Sequence, residues 1–232
     1  MDGNSRWAKT KGLPTAFGHE KGVDSLLNLV KMCVRWGVVA LTVYAFSTEN
    51  WLRPKGEVDM LMGLFERVLQ QNLAALEREN ICLRVVGEIH RLPPSLQRAV
   101  AEAHERTAGN TALLFTIGVS YSGRQDLVQA CQALARKVSE GGLDPSEITE
   151  ASISAQLGMA TENSGWRGEP VGDPDLLLRT SGEQRLSNFL LWQLAYTELF
   201  FMDTLWPDFG EADFVKALEH YSRRERRFGG RR

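Results

Sequence analysis

Three apolar runs limit what this chain can fold into more than any other feature. Val38 to Phe46, Ile81 to Val86 and Ala112 to Val119 are almost continuously hydrophobic and rich in β-branched or aromatic residues. Such runs suit strands buried on both faces. Helical spacing fills the intervals between them. Residues 20–36 put Val23, Leu26, Leu27, Val30, Cys33 and Val34 on one side and stop at Gly37. Residues 57–79 do the same with Met60, Leu61, Leu64, Phe65, Val68, Leu69, Leu73 and Leu76. Pro93-Pro94 opens a helix running to about Thr107, and Gln125 to Val138 reads as another. Strands separated by helical segments argue for a mainly parallel sheet. The expected fold is a single α/β domain over residues 1–232, with a mainly parallel central sheet covered by helices on both faces.

The second half is less regular. Residues 149–157 suit a short helix, Asp175 to Arg179 a short strand, 188–197 a helix, Leu199 to Met202 a strand and 211–226 a helix. Between Gly158 and Pro174 the glycines and prolines suggest a long flexible loop. The run 223–232 is a basic tail with six arginines in ten residues. A tail of this kind is solvated, reaches a phosphate site, or touches an anionic membrane surface.

Composition removes several function classes. The 27 basic and 29 acidic residues leave a net charge of −2, so nothing global favours a nucleic-acid partner. Cys33, Cys82 and Cys131 are far apart in apolar segments, which suggests three buried free thiols in a reducing compartment. No apolar run reaches 18 residues, and Phe189 to Phe201 is interrupted by Gln193, Thr197 and Glu198. The expectation is a protein that is soluble or peripheral to a membrane, in cytoplasm or plastid. Any targeting segment would lie upstream of the sequence.

Four segments carry chemistry. Met1-Asp2-Gly3-Asn4-Ser5-Arg6-Trp7, with Gly18-His19-Glu20-Lys21-Gly22 beyond it, can hold an anion on backbone N–H groups, with Asp2 facing a bridging metal. The same residues also suit a plain glycine turn with a surface arginine. A loop of this type ordinarily follows a buried strand, so a first strand is expected upstream of Met1. Ser47-Thr48-Glu49-Asn50-Trp51-Leu52-Arg53 lies just past a buried strand, where ligands of α/β proteins bind. Its hydroxyls, amide, indole and guanidinium suit a phosphorylated substrate with an apolar body, or simply a capped β–α loop. In the third segment Arg179 and Arg185 can clamp phosphate oxygens with help from Ser187, or pair with Glu183 on the surface. Glu198, set among apolar residues, needs a partner, either a core cation or a metal.

Taken together, the motifs MDGNSRWAK, GHEKG, YAFSTENWLRP, DLLLRTSGEQRLSNFLLWQLAYTELFF, LWPDF and RRERRFGG resemble, in this order, those of the cis-prenyltransferases, the undecaprenyl and dehydrodolichyl diphosphate synthase family. The resemblance runs from Met1 to Gly230, and the 158–174 loop is similar to that of plant or algal members. It implies an α/β enzyme with a hydrophobic tunnel, lined by helix 57–79 and strand 112–119, that condenses isopentenyl diphosphate onto an allylic diphosphate to make Z-polyprenyl diphosphates with Mg²⁺. It implies a homodimer, or a heterodimer, with peripheral membrane contact for releasing a lipid product.

By motif position the resemblance makes Asp2 the residue for Mg²⁺ and the allylic diphosphate, with Gly3, Asn4, Ser5 and Arg6 as the phosphate loop and Trp7 and His19 beside it. Ser47, Thr48, Glu49, Asn50, Trp51 and Arg53 form a second substrate segment. Asn50 takes the place assigned to proton abstraction, although a neutral amide is a poor base and better suited to orienting a diphosphate or water. Arg179, Arg185, Leu186 and Ser187 hold the homoallylic diphosphate, Glu198 is a second metal ligand, and Arg227 and Gly229 reach the partner's site. Thr15 stands where bacterial members carry a phosphate-contacting Arg. The absence of a DDxxD motif argues against the all-trans class. The alternative reading is a non-catalytic partner subunit of a heteromeric synthase; retention of Asp2 and Glu198 ranks it below the enzyme.

Overall fold

The structure, a computed structural model, describes residues 1–163, 166–168 and 171–226. The chain forms two compact units, one comprising Met1–Arg35, Asp173–Leu186 and Gln193–Arg232, the other Trp36–Gly172 and Ser187–Trp192. Each is parallel α/β.

The larger unit is built on the three apolar runs. They become β1 (Ala40–Ser47), β2 (Ile81–Val86) and β3 (Leu113–Tyr121). The three strands are parallel in the order β1-β3-β2. All nine residues of β3 are buried, as a central strand with both faces covered requires. In this unit α3 (Lys55–Arg78), α4 (Pro94–Thr107) and α5 (Gly123–Ser139) supply the crossovers and cover. Ser122 caps α5, its Oγ accepting from Gln125 N at 3.5 Å.

β2 is an edge strand, and side chains close its free edge. Thr107 Oγ1 accepts from Leu83 N at 3.0 Å, His104 Nε2 accepts from Val85 N at 2.8 Å, and Asn110 Nδ2 donates to Ile81 O at 2.8 Å. An edge so plugged cannot recruit another strand. Burial, helped by the Arg84 guanidinium, pushes the His104 imidazole down to about 4. It is therefore neutral at pH 7 and can act as acceptor.

The smaller unit pairs β4 (Leu176–Arg179) with β5 (Glu198–Phe201) in parallel. Around them lie α1 (Asn4–Thr10), α2 (Thr15–Arg35) and α8 (Glu211–Ser222). Gly37, at φ +73°, follows α2 where the sequence predicts its stop. Thr15 opens α2.

Four expectations need correction. Residues 4–10 form a helix that the loop-like composition hides. Residues 158–174 are not one long loop: α6 (Glu150–Ser154) leads to α7 (Gly158–Glu162), and Trp166 is buried against Cys82 and Leu114, its indole N–H donating to Asn110 O at 3.0 Å. A buried indole anchors a glycine-rich segment that composition alone leaves free. The expected helix 188–197 is a series of turns, because Ser187, Asn188 and Leu190 have φ of +51°, +62° and +44°, which no right-handed helix accommodates. Cys33 and Cys82 are buried thiols, but Cys131 sits on the outer face of α5 and is exposed. No helix among the described residues is long and apolar enough to cross a membrane.

Candidate active site

The predicted site residues fall into two groups, one in each unit. In the smaller unit the chain turns sharply at Gly3, which has φ +99° and precedes α1. A Cβ there would lie 2.4 Å from Ser181 Oγ, so only glycine fits. This close approach seats residue 2 at the carboxyl end of β4. The Asp2 main-chain oxygen accepts from Ser181 Oγ at 2.5 Å and from Trp206 N at 3.0 Å. Its carboxylate makes a separate set of contacts. Oδ1 accepts from Gly3 N at 2.6 Å, while Oδ2 lies 3.5 Å from both Arg6 Nη2 and Arg179 Nη2. Burial raises the Asp2 carboxyl's pKa, but the Gly3 N–H, then the Arg6 guanidinium, the neighbouring α-amino group and the Arg179 guanidinium outweigh it and hold the group below the usual carboxylate range. The side chain is 42% exposed, so this ionised carboxylate faces solvent.

Two arginines of opposite character flank it. Arg179, 14% exposed, is fixed by the Arg185 carbonyl and Asp2. Arg6, 47% exposed, donates to Ser181 O at 3.1 Å and meets Glu183 at 3.3 Å. Arg185 pairs with the same Glu183 and is 61% exposed. Guanidiniums around one carboxylate can trade their acidic partners for phosphate oxygens.

The floor comes from α1 and α2. Cβ atoms at Gly18 and Gly22 would meet Asn4 O at 2.1 Å and Asn4 Oδ1 at 2.5 Å, so the GHEKG motif exists to let α2 pass close under Asn4. His19 follows Gly18 on α2. Trp7 is not free to cover a ligand alone: its Nε1 donates to Asp208 Oδ1 at 2.7 Å, and Trp206 Nε1 donates to Gly22 O at 2.8 Å. Ser5 is exposed on α1.

In the larger unit β1 runs out into a 3-10 turn, Thr48–Leu52. Asn50 Oδ1 accepts from Ser47 N at 3.0 Å, so its carbonyl oxygen is committed to holding the turn. Trp51 Nε1 donates to Ser120 Oγ at 2.9 Å, its ring packs edge-on against Phe46 at 5.1 Å, and Arg91 stacks over it at 5.1 Å. Arg53 pairs with Glu57 at 3.1 Å. Ser187 is exposed, and its neighbour Asn188 donates to Glu49 Oε1 at 2.8 Å. A cleft of about 380 Å³ opens here, its lining including Thr48, Glu49, Arg91, Ser122, Arg124 and Asn188.

Glu198 is not brought to Asp2. It stands at the start of β5 opposite Leu176, whereas Asp2 sits past Arg179 at the other end of the same strand pair. Three residues along a strand is about 10 Å. Glu198 has instead the cation it needs, Arg224 at 2.8 Å. Leu186 is half-buried, and Arg227 and Gly229 lie outside the described residues.

Among the described residues no three His, Cys, Asp or Glu side chains gather to form a metal cage. One ionised carboxylate among arginines fits a different arrangement, in which a hard cation arrives on a diphosphate and takes most of its oxygens from phosphate and water. Motif reasoning passes over Thr180, Ser181, Asn188 and Asp208. The Thr180-Ser181-Gly182 step just after a strand is the signal that finds the first two.

The fold is that of the cis-prenyltransferases. Lavandulyl diphosphate synthase from Lavandula x intermedia, solved in complex with dimethylallyl diphosphate, superposes with a TM-score of 0.91 at 39% identity, covering 99% of this chain and 95% of that one. The sequence model described as "Putative undecaprenyl diphosphate synthase" matches residues 1–229, and the chain belongs to this prenyltransferase family. It is 49% identical to a chloroplastic dehydrodolichyl diphosphate synthase of Solanum lycopersicum over 99% of this chain and 71% of that protein. An isoprenyl transferase of Prochlorococcus marinus is 51% identical over 99% of this chain and 83% of that protein.

Proposed function

We propose that the chain is a Mg²⁺-dependent cis-prenyltransferase that condenses isopentenyl diphosphate with an allylic diphosphate to give a Z-polyprenyl diphosphate. The observation that carries this is the ionised Asp2 carboxylate between Arg6 and Arg179, in a chain whose fold matches a synthase bound to dimethylallyl diphosphate.

Breaking the allylic C–O bond puts negative charge on the departing diphosphate. Asp2 would hold a Mg²⁺ ion there, and the ion would supply charge neutralisation for that departure. Arg179, already held by Asp2 and the Arg185 carbonyl, fixes the orientation of the anion, and the more exposed Arg6 adds a second guanidinium against the developing charge. Arg185 and Ser187 hold isopentenyl diphosphate. Asn50, its oxygen engaged by Ser47 N, orients the substrate or a water through its NH₂ group rather than removing a proton itself. Leu61, Leu64, Phe65 and Val68 form a half-buried apolar stripe on α3 that suits a growing hydrocarbon chain.

The family match runs through both units, which supports reading 1–232 as one domain. Tyr196 and Leu199, 74% and 42% exposed, offer apolar surface for assembly as a homodimer, with a heterodimer or contact with a membrane as further uses of such surface. Two of the relatives are chloroplastic proteins, in keeping with a plastid location.

Incubating the purified chain with labelled isopentenyl diphosphate, an allylic diphosphate and Mg²⁺ should yield labelled, butanol-extractable polyprenyl diphosphate. A folded chain that yields none alone, but does so when mixed with a homologous subunit, would instead be the non-catalytic partner.

A further inference from the structure

The turn that follows the third motif segment is strained. Within four residues Ser187, Asn188 and Leu190 all have left-handed backbone, at φ +51°, +62° and +44°. Asn tolerates this region; Ser and Leu do so at a cost. Strain of this kind persists only where surrounding contacts enforce it. Phe189 and Leu190 do part of this, with Phe189 stacked on Tyr44 at 4.6 Å and Leu190 1% exposed.

The Asn188 side chain does the rest, using every hydrogen-bonding group it has. Nδ2 donates to Glu49 Oε1 at 2.8 Å and to Ser122 Oγ at 2.7 Å. Oδ1 accepts from Arg124 N at 2.9 Å, and the main-chain oxygen accepts from Gly123 N at 2.7 Å. One residue thereby ties the 3-10 turn at Thr48–Leu52, the Ser122 cap and the first turn of α5 to the backbone that carries Ser187. Glu49 answers in kind. Burial raises its pKa, but the Asn188 amide first, then the backbone N–H and the Ser47 and Thr48 hydroxyls, outweigh this and keep it ionised. The amide–carboxylate bond is charge-assisted. It forms part of the wall of the 380 Å³ cleft that also includes Thr48 and Arg91.

We propose that Asn188 is a positioning residue. Its side chain holds Ser187 and the Thr48–Leu52 turn in the arrangement that receives isopentenyl diphosphate, without touching that substrate. This rests on the proposed condensation activity and assigns a residue that the motif comparison leaves without a role.

Three variants test it. Asn188→Gly keeps the left-handed backbone cheap and removes only the amide. Asn188→Asp keeps the shape but sets a carboxylate against Glu49. Asn188→Asp combined with Glu49→Gln restores an amide–carboxylate pair of reversed polarity. Asn188→Gly and Asn188→Asp should each raise the KM for isopentenyl diphosphate about tenfold or more, the scale of a lost hydrogen bond to a charged group. The KM for the allylic starter should move far less, and the double variant should recover most of the loss. Hydrogen exchange of a peptide covering residues 47–53 gives a readout independent of turnover. It should speed up in both single variants and slow again in the double. A wild-type KM in Asn188→Gly, or a double variant no better than Asn188→Asp, would overturn the proposal. An inactive wild type would sink the proposed condensation instead, and the exchange data would still decide whether Asn188 holds the turn.

Discussion

Asp2 divides its work between two sets of atoms. The main-chain oxygen takes hydrogen bonds from Ser181 and Trp206 that fold the chain end onto β4, and the carboxylate faces the arginines. Asp2→Asn removes only the charge. It should leave the melting temperature within a few degrees of wild type and lower kcat by about 10²–10³, the usual scale for a lost group that stabilises developing charge. Near wild-type turnover in this variant would remove Asp2 from the chemistry. Gly3→Ala separates the other function. A methyl group 2.4 Å from Ser181 Oγ on a backbone at φ +99° must displace one of them. Urea unfolding should show a loss of about 1–3 kcal/mol, the range for enforced left-handed backbone. Asp2, Gly3, Arg6 and Arg179 stand out in the sequence through the ordered motifs that resemble the family, because each alone also suits a glycine turn or a surface ion pair. Asp208 does not stand out, because its part is to hold Trp7 across some 200 residues of chain.

At the scale of elements, the edge of β2 shows how a side chain completes a strand. His104 can accept from Val85 N only while neutral. Its pKa falls from the ordinary 6.5 to about 4 in the folded chain, so below 6.5 the unfolded state binds the proton and the folded state resists it. Stability from this group is therefore present above about 6.5 and is lost as pH falls towards 4, by roughly 3 kcal/mol at full extent. His104→Gln keeps an acceptor but cannot titrate. Melting temperatures of the two proteins should converge as pH drops from 6.5 to 4, with wild type falling more steeply. Parallel slopes would mean that the imidazole is not the acceptor. The strands themselves are legible from composition, Ile81–Val86 to the residue, because a strand buried on both faces must be continuously apolar. The turns at 187–190 are not, since the Leu-Leu-Trp-Gln-Leu-Ala that begins at Leu190 carries helical composition, and contacts such as those of Asn188 and Phe189 with residues far off in the chain hold the turn in left-handed backbone.

For the whole molecule, the proposed diphosphate site at the arginine–carboxylate cluster predicts that a bound diphosphate stabilises the fold. Inorganic pyrophosphate with Mg²⁺ at a hundred times its Kd should add about 2.7 kcal/mol, a rise of some 5–10 °C in melting temperature at this size. Arg179→Ala should abolish most of the rise, and chelating the magnesium should reduce it. An unshifted wild type would count against a diphosphate site on this chain. By itself the sequence determined the alternation of strands and helices, the parallel pairing and, through the order of its motifs, the family. Each of these follows from local periodicity or from short motifs. Only the tertiary structure decided which atoms of Asp2 are structural, that Glu198 is answered by Arg224, that Trp166 pins a glycine-rich segment and that Asn188 locks the turn beside Ser187. These are pairings between residues far apart in the chain. They are fixed by where packed elements come to rest, which no local pattern encodes.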